Sequence, residues 1–224
     1  MTCEVTLLSH TAEPARTVAA AARLCYSPAS AGKLFQGLDA GKIRSFLAQL
    51  RRAGHFSPFE HASFTLGLEG LSRVASHQLV RHQLASFSQQ SQRYVEVQTP
   101  DCVVPPRVAQ DPQSLGLFEE HARRSLEVYD ALLERGIPKE DARFVLPHGW
   151  TTQLVVTMNA RELHHFFRLR LCRRAQWEIR EVARAMLLRV REAAPELFDL
   201  AGPDCVTEGV CREPSSCGAP YSDM

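Results

Sequence analysis

The chain has 224 residues, of which 45% are hydrophobic and 23% charged, and its formal net charge is +1 at pH 7. This composition is typical of a globular protein and excludes a disordered chain, a collagen and a small disulfide-stapled scaffold. A net charge near zero also argues against a protein that binds nucleic acid with its whole surface. The 26 basic residues comprise 23 Arg and three Lys. Because Arg presents a planar fork of donors to carboxylates and phosphates, this excess indicates either a genome bias toward Arg or anionic ligands.

The sequence contains no segment typical of membrane insertion or secretion. No uncharged apolar run approaches the roughly 20 residues that span a bilayer. The first ten residues lack the basic start, the long apolar stretch and the small-residue cleavage site of a signal peptide. We therefore expect a cytoplasmic protein with no membrane partner, in which most of the seven cysteines are free thiols.

Apolar periodicity and turn residues divide the chain into short strands and longer helices. In chain order they predict a strand at 4–8, helices at 11–24 and 41–53, a loop at 55–61, a strand at 63–68, a helix at 72–82, a loop at 85–92, a strand at 93–97, helices at 115–135 and 138–145, a strand at 151–158, and helices at 159–171 and 176–194. Side-chain N-caps are predicted at Thr11, Asp39, Ser72 and Asn159. At the last of these, Glu162 stands three residues further on, as in a capping box.

These elements predict an α+β fold in which a small antiparallel or mixed sheet packs against several helices. The strands are few and short, and no glycine-rich fingerprint follows any of them, which disfavours a parallel βαβ winding. Residues 1–201 are expected to form a single domain, and residues 202–224 a cysteine-containing C-terminal tail.

The densest polar segment runs from Gln78 to Tyr94. Gln78 and Arg81 are three residues apart on the predicted helix, so we expect them on nearly the same face. The segment that follows supplies serine hydroxyls, glutamine amides and Arg93, which are the groups that an oxyanion such as phosphate requires. A solvated loop with helix-terminal charges is the alternative interpretation of such a segment taken by itself.

As a constellation, Arg81-His-Gln-x-x-Ser-x-x-x-x-Ser-x-Arg93 resembles the signature of the flavin-dependent thymidylate synthases, usually written Arg-His-Arg-x-x-Ser-x-x-x-x-Ser-x-Arg. Further segments resemble that family in the same order along the chain: its flavin-contacting loop at 55–61, its phosphate-binding arginine segment around Arg143, and its C-terminal motifs at 159–161 and 170–180. The resemblance covers most of residues 1–200. Three positions depart from it: Gln83 stands where the signature usually has Arg, His165 where Asn is expected, and Arg174 where some members carry His.

The resemblance implies an activity as well as the fold of that family. Its members convert dUMP to dTMP with methylenetetrahydrofolate as carbon donor, FAD as redox carrier and NADPH as reductant. They form homotetramers whose active sites are shared between subunits. All of these small molecules are anionic, so such a site needs the fixed positive charge that Arg supplies. No nucleic-acid partner is implied.

The resemblance also implies roles for individual residues. Arg170 is expected at the uracil edge as the catalytic residue, where a cation stabilises negative charge at N3 and O2 while C5 becomes nucleophilic. The residues expected to bind the nucleotide are Gln78, Arg81, Gln89, Gln90, Ser91, Gln92, Arg93, Arg143 and Arg170. The residues expected to bind FAD are His55, Ser57, Arg81, His82, Gln83, Leu84, Gln89, Asn159, Arg161 and His165.

Ser91 is interpreted as a phosphate ligand rather than a nucleophile. A serine nucleophile needs a base within hydrogen-bond distance, and His82 is the imidazole nearest to it in sequence. The contexts of Cys102 and Cys172 do not match the nucleophile of the unrelated cysteine-dependent thymidylate synthases. We therefore expect no covalent bond between enzyme and nucleotide.

No metal site is predicted. His164 and His165 are neighbours on a predicted helix and so point about 100° apart. Cys205, Cys211 and Cys217 are spaced more widely than the tight cysteine pairs of zinc sites. A solvated tail with free thiols is the preferred interpretation, with a metal site in the tail as its alternative.

The C-terminal third leaves a rival function open. Nine arginines between residues 161 and 191 are also typical of a non-catalytic nucleotide- or RNA-binding protein. Acidic residues alternate with these arginines, however, and no recognised nucleic-acid module is present. The enzyme is therefore the preferred interpretation.

Overall fold

A computed structural model describes residues 3–221 of the chain. Its four strands are β1 (Glu4–His10), β2 (Ser63–Ser72), β3 (Ala85–Gln89) and β4 (Thr151–Asn159). Its helices are α1 (Pro14–Leu24), α2 (Ala31–Gly37), α3 (Ala40–Arg52), α4 (Arg73–Leu79), α5 (Pro106–Ala109), α6 (Pro112–Glu134), α7 (Lys139–Ala142), α8 (Ala160–Arg170), α9 (Trp177–Ala193), α10 (Pro195–Phe198) and α11 (Asp204–Thr207). Two 3₁₀ helices cover Ser57–His61 and Arg143–Val145.

The strands form one sheet in the order β1-β2-β4-β3. Backbone hydrogen bonds join Thr11 to Ser63, Arg73 to Trp150, and Gln90 to Gln153, so the end of one strand lies beside the start of its neighbour. Neighbouring strands are therefore antiparallel. The predicted α+β fold with a small antiparallel sheet and several helices is confirmed.

The chain divides into two compact units whose segments alternate along the sequence. Unit 1 contains Leu68–Arg81 and Ser88–Leu154, and unit 2 contains Val5–Gly67, His82–Phe87 and the chain from Val155 onward. Strands β2 and β4 contribute residues to both units. The predicted domain at 1–201 and tail at 202–224 include residues 1–2 and 222–224, which lie outside the described part.

Each unit has its own apolar core. In unit 1, Tyr129 of α6 packs with Ala142, Leu146 and Trp150. In unit 2, Phe198 contacts Phe64 of β2 and Phe167 of α8, at ring-centroid distances of 5.3 and 6.1 Å. These buried rings fix α8, the helix that carries several predicted site residues. Within residues 3–221, no helix combines the length and the apolar character that a membrane span requires.

Three of the four predicted N-caps are confirmed. The side chains of Asp39, Ser72 and Asn159 accept hydrogen bonds from backbone N–H groups in the first turns of α3, α4 and α8, at 2.9, 3.0 and 2.9 Å. The cap at Thr11 is wrong. The chain enters α1 through Glu13 in the left-handed region, at φ 45°, while the Thr11 hydroxyl accepts from the Ser63 N–H in the sheet.

The predictions for the polar segment after α4 are partly wrong. Residues 85–89 form an edge strand rather than a loop, because hydrogen bonding to β4 outweighs their weak local preference. The predicted strand at 93–97 is absent, because the N–H groups of Tyr94 and Val95 close a turn onto the Ser91 carbonyl. Helix α4 ends at Leu79, so Arg81 lies beyond it and does not share a helix face with Gln78.

Candidate functional site

The predicted site residues fall into two groups that follow the division of the chain. Most residues expected at the nucleotide lie in unit 1: Gln78, Arg81, Gln89, Gln90, Ser91, Gln92, Arg93 and Arg143. Most residues expected at FAD lie in unit 2, together with Arg170: His55, Ser57, His82, Gln83, Leu84, Asn159, Arg161 and His165.

Strand β3 orders the start of the nucleotide group. The Gln89 side-chain amide donates to the Ser76 hydroxyl at 3.1 Å and to the Thr152 hydroxyl at 3.2 Å. The next residue, Gln90, donates its backbone N–H to the Gln153 carbonyl. Both described hydrogen bonds of the Gln89 amide are therefore made to residues of unit 1. This arrangement is more typical of a residue that stabilises the strand than of one that contacts a ligand.

The turn after β3 brings Ser91 and Arg93 together. The Ser91 hydroxyl accepts from the Arg93 N–H at 3.2 Å, and the Arg93 guanidinium pairs with the Glu140 carboxylate at 2.8 Å. Arg143 donates from Nε to the Glu140 carbonyl at 3.1 Å. Glu140 therefore contacts both arginines, so the structure brings Arg93 and Arg143 to one place in unit 1.

Arg73 belongs to the same region and was missed in the sequence. Its Nη2 donates to the Gln90 carbonyl at 3.1 Å, and its buried Nε has no hydrogen-bond partner among the described residues. Burial, and then the positive charge of Arg143, lower the pKa of Arg73. The sequence did contain an indication, because Arg73 follows the predicted N-cap Ser72. A cation in the first turn of a helix interacts unfavourably with the helix dipole, which suggests that it serves a ligand.

Helix α8 organises the charged groups of unit 2. Its N-cap residue Asn159 accepts from the Glu162 N–H, but the Glu162 side chain does not complete the predicted capping box. It lies 3.0 Å from Nδ1 of His82 instead. On the other side of the same ring, Arg170 donates from Nε to His82 Nε2 at 3.1 Å. Glu162, like Arg73, was missed as a site residue, since no local pattern connects it to His82.

The surroundings of His82 keep its ring neutral. Burial lowers its pKa to about 4, with further lowering from the charges of Arg170 and His165. Burial also raises the pKa of Glu162. Because Nε2 accepts from Arg170, the proton of neutral His82 lies on Nδ1 and is donated to Glu162.

The surroundings of His82 and of the two histidines of α8 do not favour a metal site. His82, Glu162 and His165 have ligand atoms within 4.8 Å of one another. Both ring nitrogens of His82 are already hydrogen-bonded, and a cation there would face the charge of Arg170. The Nε2 atom of His164 bonds to the Leu197 carbonyl at 2.9 Å, and its ring stacks on Phe198, so this residue serves packing.

A basic cavity of about 670 Å³ opens in unit 2. Five arginines and two histidines line it: Arg51, Arg52, Arg161, Arg168, Arg212, His164 and His165. Arg161, predicted at FAD, also pairs with Glu60. One wall comes from residues 200–212, including Asp204, which pairs with Arg168 at 3.5 Å. The sequence interpretation placed no site residue in this part of the tail.

The remaining predicted flavin residues of unit 2 are exposed. His55 and Ser57 flank Phe56, which lines the cavity, at the start of the first 3₁₀ helix. Gln83 and Leu84 follow His82, and Leu84 is 64% exposed. An exposed leucine in a polar segment is available to pack against a ligand or another subunit.

Known proteins with related sequences or structures match this chain over most of its length. Residues 6–196 match the family model described as thymidylate synthase complementing protein. A flavin-dependent thymidylate synthase of Geobacter sulfurreducens is 50% identical, over 96% of this chain and 94% of that protein. One of Clostridium tetani is 43% identical, over 97% and 94%. The crystal structure of a UMP/dUMP methylase from Streptomyces cacaoi, bound with 5-Br dUMP, superposes with a TM-score of 0.78 at 29% identity, covering 88% of this chain and 93% of that one. The chain therefore belongs to the flavin-dependent thymidylate synthase family.

Proposed function

We propose that this protein converts dUMP to dTMP, using methylenetetrahydrofolate as carbon donor and NADPH as reductant, with FAD as its cofactor. The observation that carries the proposal is the cationic cluster of Arg73, Arg93 and Arg143 in unit 1, where the charge of Arg143 disfavours that of Arg73 and the buried Nε of Arg73 has no hydrogen-bond partner among residues 3–221. An anion placed there would relieve the repulsion and satisfy that donor. The phosphate of dUMP is such an anion, and Ser91 and Arg93 lie on the adjoining turn.

The residues of unit 2 fit FAD. An FAD molecule carries two phosphates, and the cavity of about 670 Å³ has the size of a cofactor site and is lined by five arginines against two acidic residues, Asp204 and Glu208. Arg161 and His165 would contact FAD from this cavity, and His55, Ser57, Gln83 and Leu84 from the exposed segments beside the buried His82. When bound, FAD supplies the redox chemistry, while the protein binds and orients the reactants.

Arg170 has the proposed catalytic role. Its guanidinium keeps its charge throughout the working pH range and would stabilise negative charge on the uracil as C5 becomes nucleophilic. No enzyme nucleophile is proposed. Both ring nitrogens of His82 are engaged within unit 2, so this imidazole is not available as the base that a serine nucleophile requires.

We further propose a cytoplasmic homotetramer with active sites shared between subunits and with no nucleic-acid or membrane partner. Tyr94 and Phe144 in unit 1 are 75% and 82% exposed, which supports burial of these rings against another subunit. The domain proposed at 1–201 would carry the catalytic residue, and the tail proposed from residue 202 would add one wall to the FAD cavity. Against the RNA-binding alternative, several of the clustered arginines already pair with acidic residues, as in Arg184 with Glu181 and Arg189 with Glu192.

The decisive experiment measures tritium release from dUMP labelled at C5. We expect release and dTMP formation only when FAD, NADPH and methylenetetrahydrofolate are all present, and we expect the purified protein to be yellow. Each component is omitted in turn as a control, and for FAD the bound flavin is first removed from the purified protein. A colourless protein that neither takes up FAD nor releases tritium would contradict the proposal and favour the non-catalytic alternative. Mass spectrometry of the denatured enzyme during turnover should show no dUMP adduct.

A further inference from the structure

We propose that Glu162 and His82 form a buried hydrogen-bond chain that positions the guanidinium of Arg170. In this chain Glu162 accepts from His82 Nδ1 at 3.0 Å, and His82 Nε2 accepts from Arg170 Nε at 3.1 Å. Glu162 and His82 are positioning residues, since they act through Arg170. The inference rests on the proposed function, in which Arg170 stabilises charge on the uracil.

The direction of each hydrogen bond follows from the one at Arg170. A guanidinium Nε–H can only donate, so His82 Nε2 must carry a lone pair. The ring proton then lies on Nδ1, where the Glu162 oxygen accepts it. Glu162 therefore selects the one tautomer of His82 that can hold Arg170, as an acceptor does for many functional histidines.

The packing of the chain restricts its members to one arrangement. His82 and Glu162 are 4% and 5% exposed, so water does not readily replace either partner. The Phe166 ring meets His82 edge-on, with centroids 5.0 Å apart, and fixes the plane of the imidazole. Because Nε of Arg170 is tied to a fixed ring, rotation of its guanidinium is restricted.

The position of Glu162 in the sequence indicates a purpose other than capping. A glutamate three residues after an N-cap usually returns to the N-cap backbone and stabilises the helix start. Here its carboxylate is directed to His82, 80 residues away in sequence, and is buried with a raised pKa. Burial of an ionisable group lowers the stability of the fold. Such a group is expected where it holds a functional residue in position.

The first test reads the tautomer without any substrate. Protein labelled with ¹⁵N-histidine is examined by NMR, and the His82 resonances are assigned by their loss in His82→Gln. We expect a neutral ring at pH 7 with the proton on Nδ1. A proton on Nε2, or a protonated ring, would overturn the proposal. This measurement stands whether or not the protein forms dTMP, so its failure is distinct from a failure of the proposed function.

The second test separates positioning from structural support in the fully reconstituted enzyme. We expect Glu162→Gln to retain FAD and to lower kcat roughly ten- to a hundredfold, because the amide N–H₂ of Gln can donate to Nδ1 and select the tautomer that cannot accept from Arg170, which misplaces the guanidinium. The KM for dUMP should change less than about threefold, since the lost interaction acts on the transition state. Glu192→Gln makes the same change at an exposed ion pair of α9 and should leave kcat unchanged. Equal kcat for the two variants would overturn the proposal.

A matched pair at His82 locates the effective ring nitrogen. Asn places an amide near the position of Nδ1, and Gln places one near the position of Nε2, so only His82→Gln can again accept from Arg170. At saturating FAD, we expect His82→Gln to keep at least roughly tenfold more of the kcat than His82→Asn. The reverse order would show that the contact to Arg170 does not matter and would overturn the proposal.

Discussion

Arg73 brings a positive charge into the first turn of α4, where the helix dipole is already positive. The residue is partly buried, and its pKa is lowered further by the charge of Arg143. The one described hydrogen bond of its guanidinium, to the Gln90 carbonyl, does not neutralise the charge. A charge that costs stability at this position is best explained by an anionic ligand that compensates for it.

Replacing Arg73 should therefore weaken nucleotide binding. We expect Arg73→Gln to raise the KM for dUMP roughly tenfold or more, because a charge-assisted hydrogen bond to phosphate is lost. The measurement is steady-state kinetics with dUMP varied at saturating cofactors. Arg124→Gln, at an exposed ion pair of α6, is the control and should leave this KM unchanged. If the two variants gave the same KM, Arg73 would have no part in binding.

Helix α8 is the element on which the proposed chemistry of unit 2 depends. It carries Arg161, His165 and Arg170, together with Glu162. Its start is set by the Asn159 side chain, which accepts from the Glu162 N–H at 2.9 Å. Asn159 thus has a structural role that is visible in the fold and, in the proposal, a second role at FAD.

Two substitutions separate these roles of Asn159. We expect Asn159→Ala to lower the free energy of unfolding by about 1 kcal/mol through loss of the cap. Asp also caps helices, so Asn159→Asp should keep the stability but bind FAD more weakly, because it loses the amide donor and adds a negative charge. Urea unfolding and flavin titration measure the two quantities. Wild-type flavin affinity in the Asp variant would exclude the role at FAD.

The elements predicted best from the sequence are those whose order is local. The starts of α3, α4 and α8 are each marked by a side-chain cap, and α6 and α9 are long enough to show apolar periodicity. Helices α2, α5, α10 and α11 have seven residues or fewer, which is too short for that signal. Strand β3 depends on hydrogen bonding to the neighbouring strand β4, which no local sequence pattern reveals.

The candidate site divides in the same way. The signature residues Ser91 and Arg93 are close in sequence and lie on the turn that follows β3, so their proximity is a local property; their binding of the nucleotide stays a prediction. The contact of His82 with Glu162 spans 80 residues, and the cavity wall at 200–212 is formed by tertiary packing. No spacing rule contains that information, so the partners of His82 and Arg170 emerge only in the folded chain.

Taken as a whole, the molecule is nearly neutral, yet it buries ionisable groups in unfavourable surroundings. His164 is one of them. Burial, and then the charge of Arg51, lower its pKa to about 4, although its hydrogen bond to Leu197 opposes this shift. A histidine that is neutral in the fold but free to protonate when unfolded makes stability depend on pH.

The dependence on pH has a definite sign. Between pH 6.5 and about 4 the unfolded chain binds a proton at this position that the folded chain does not, so acid lowers the free energy of unfolding. The contribution of His164 should change by up to about 1.4 kcal/mol per pH unit. His164→Gln can keep a donor to the Leu197 carbonyl and cannot titrate. Urea unfolding of both proteins at pH 7, 6 and 5 should show the stability of the wild type falling relative to the variant; a constant difference would contradict the shift.

The alternation of segments between the two units has a consequence for synthesis of the chain. Unit 1 has all its segments once Leu154 has left the ribosome, whereas unit 2 still lacks α8 and α9 at that moment. Until α8 and α9 have been made, the early segments of unit 2, including β1 and the N-terminal part of β2, have apolar residues, buried in the folded chain, that remain exposed. The second half of β4, α8 and α9 are still to be made at that moment, so a ribosome that slows once Leu154 has emerged would lengthen the period in which nascent unit 2 depends on a chaperone.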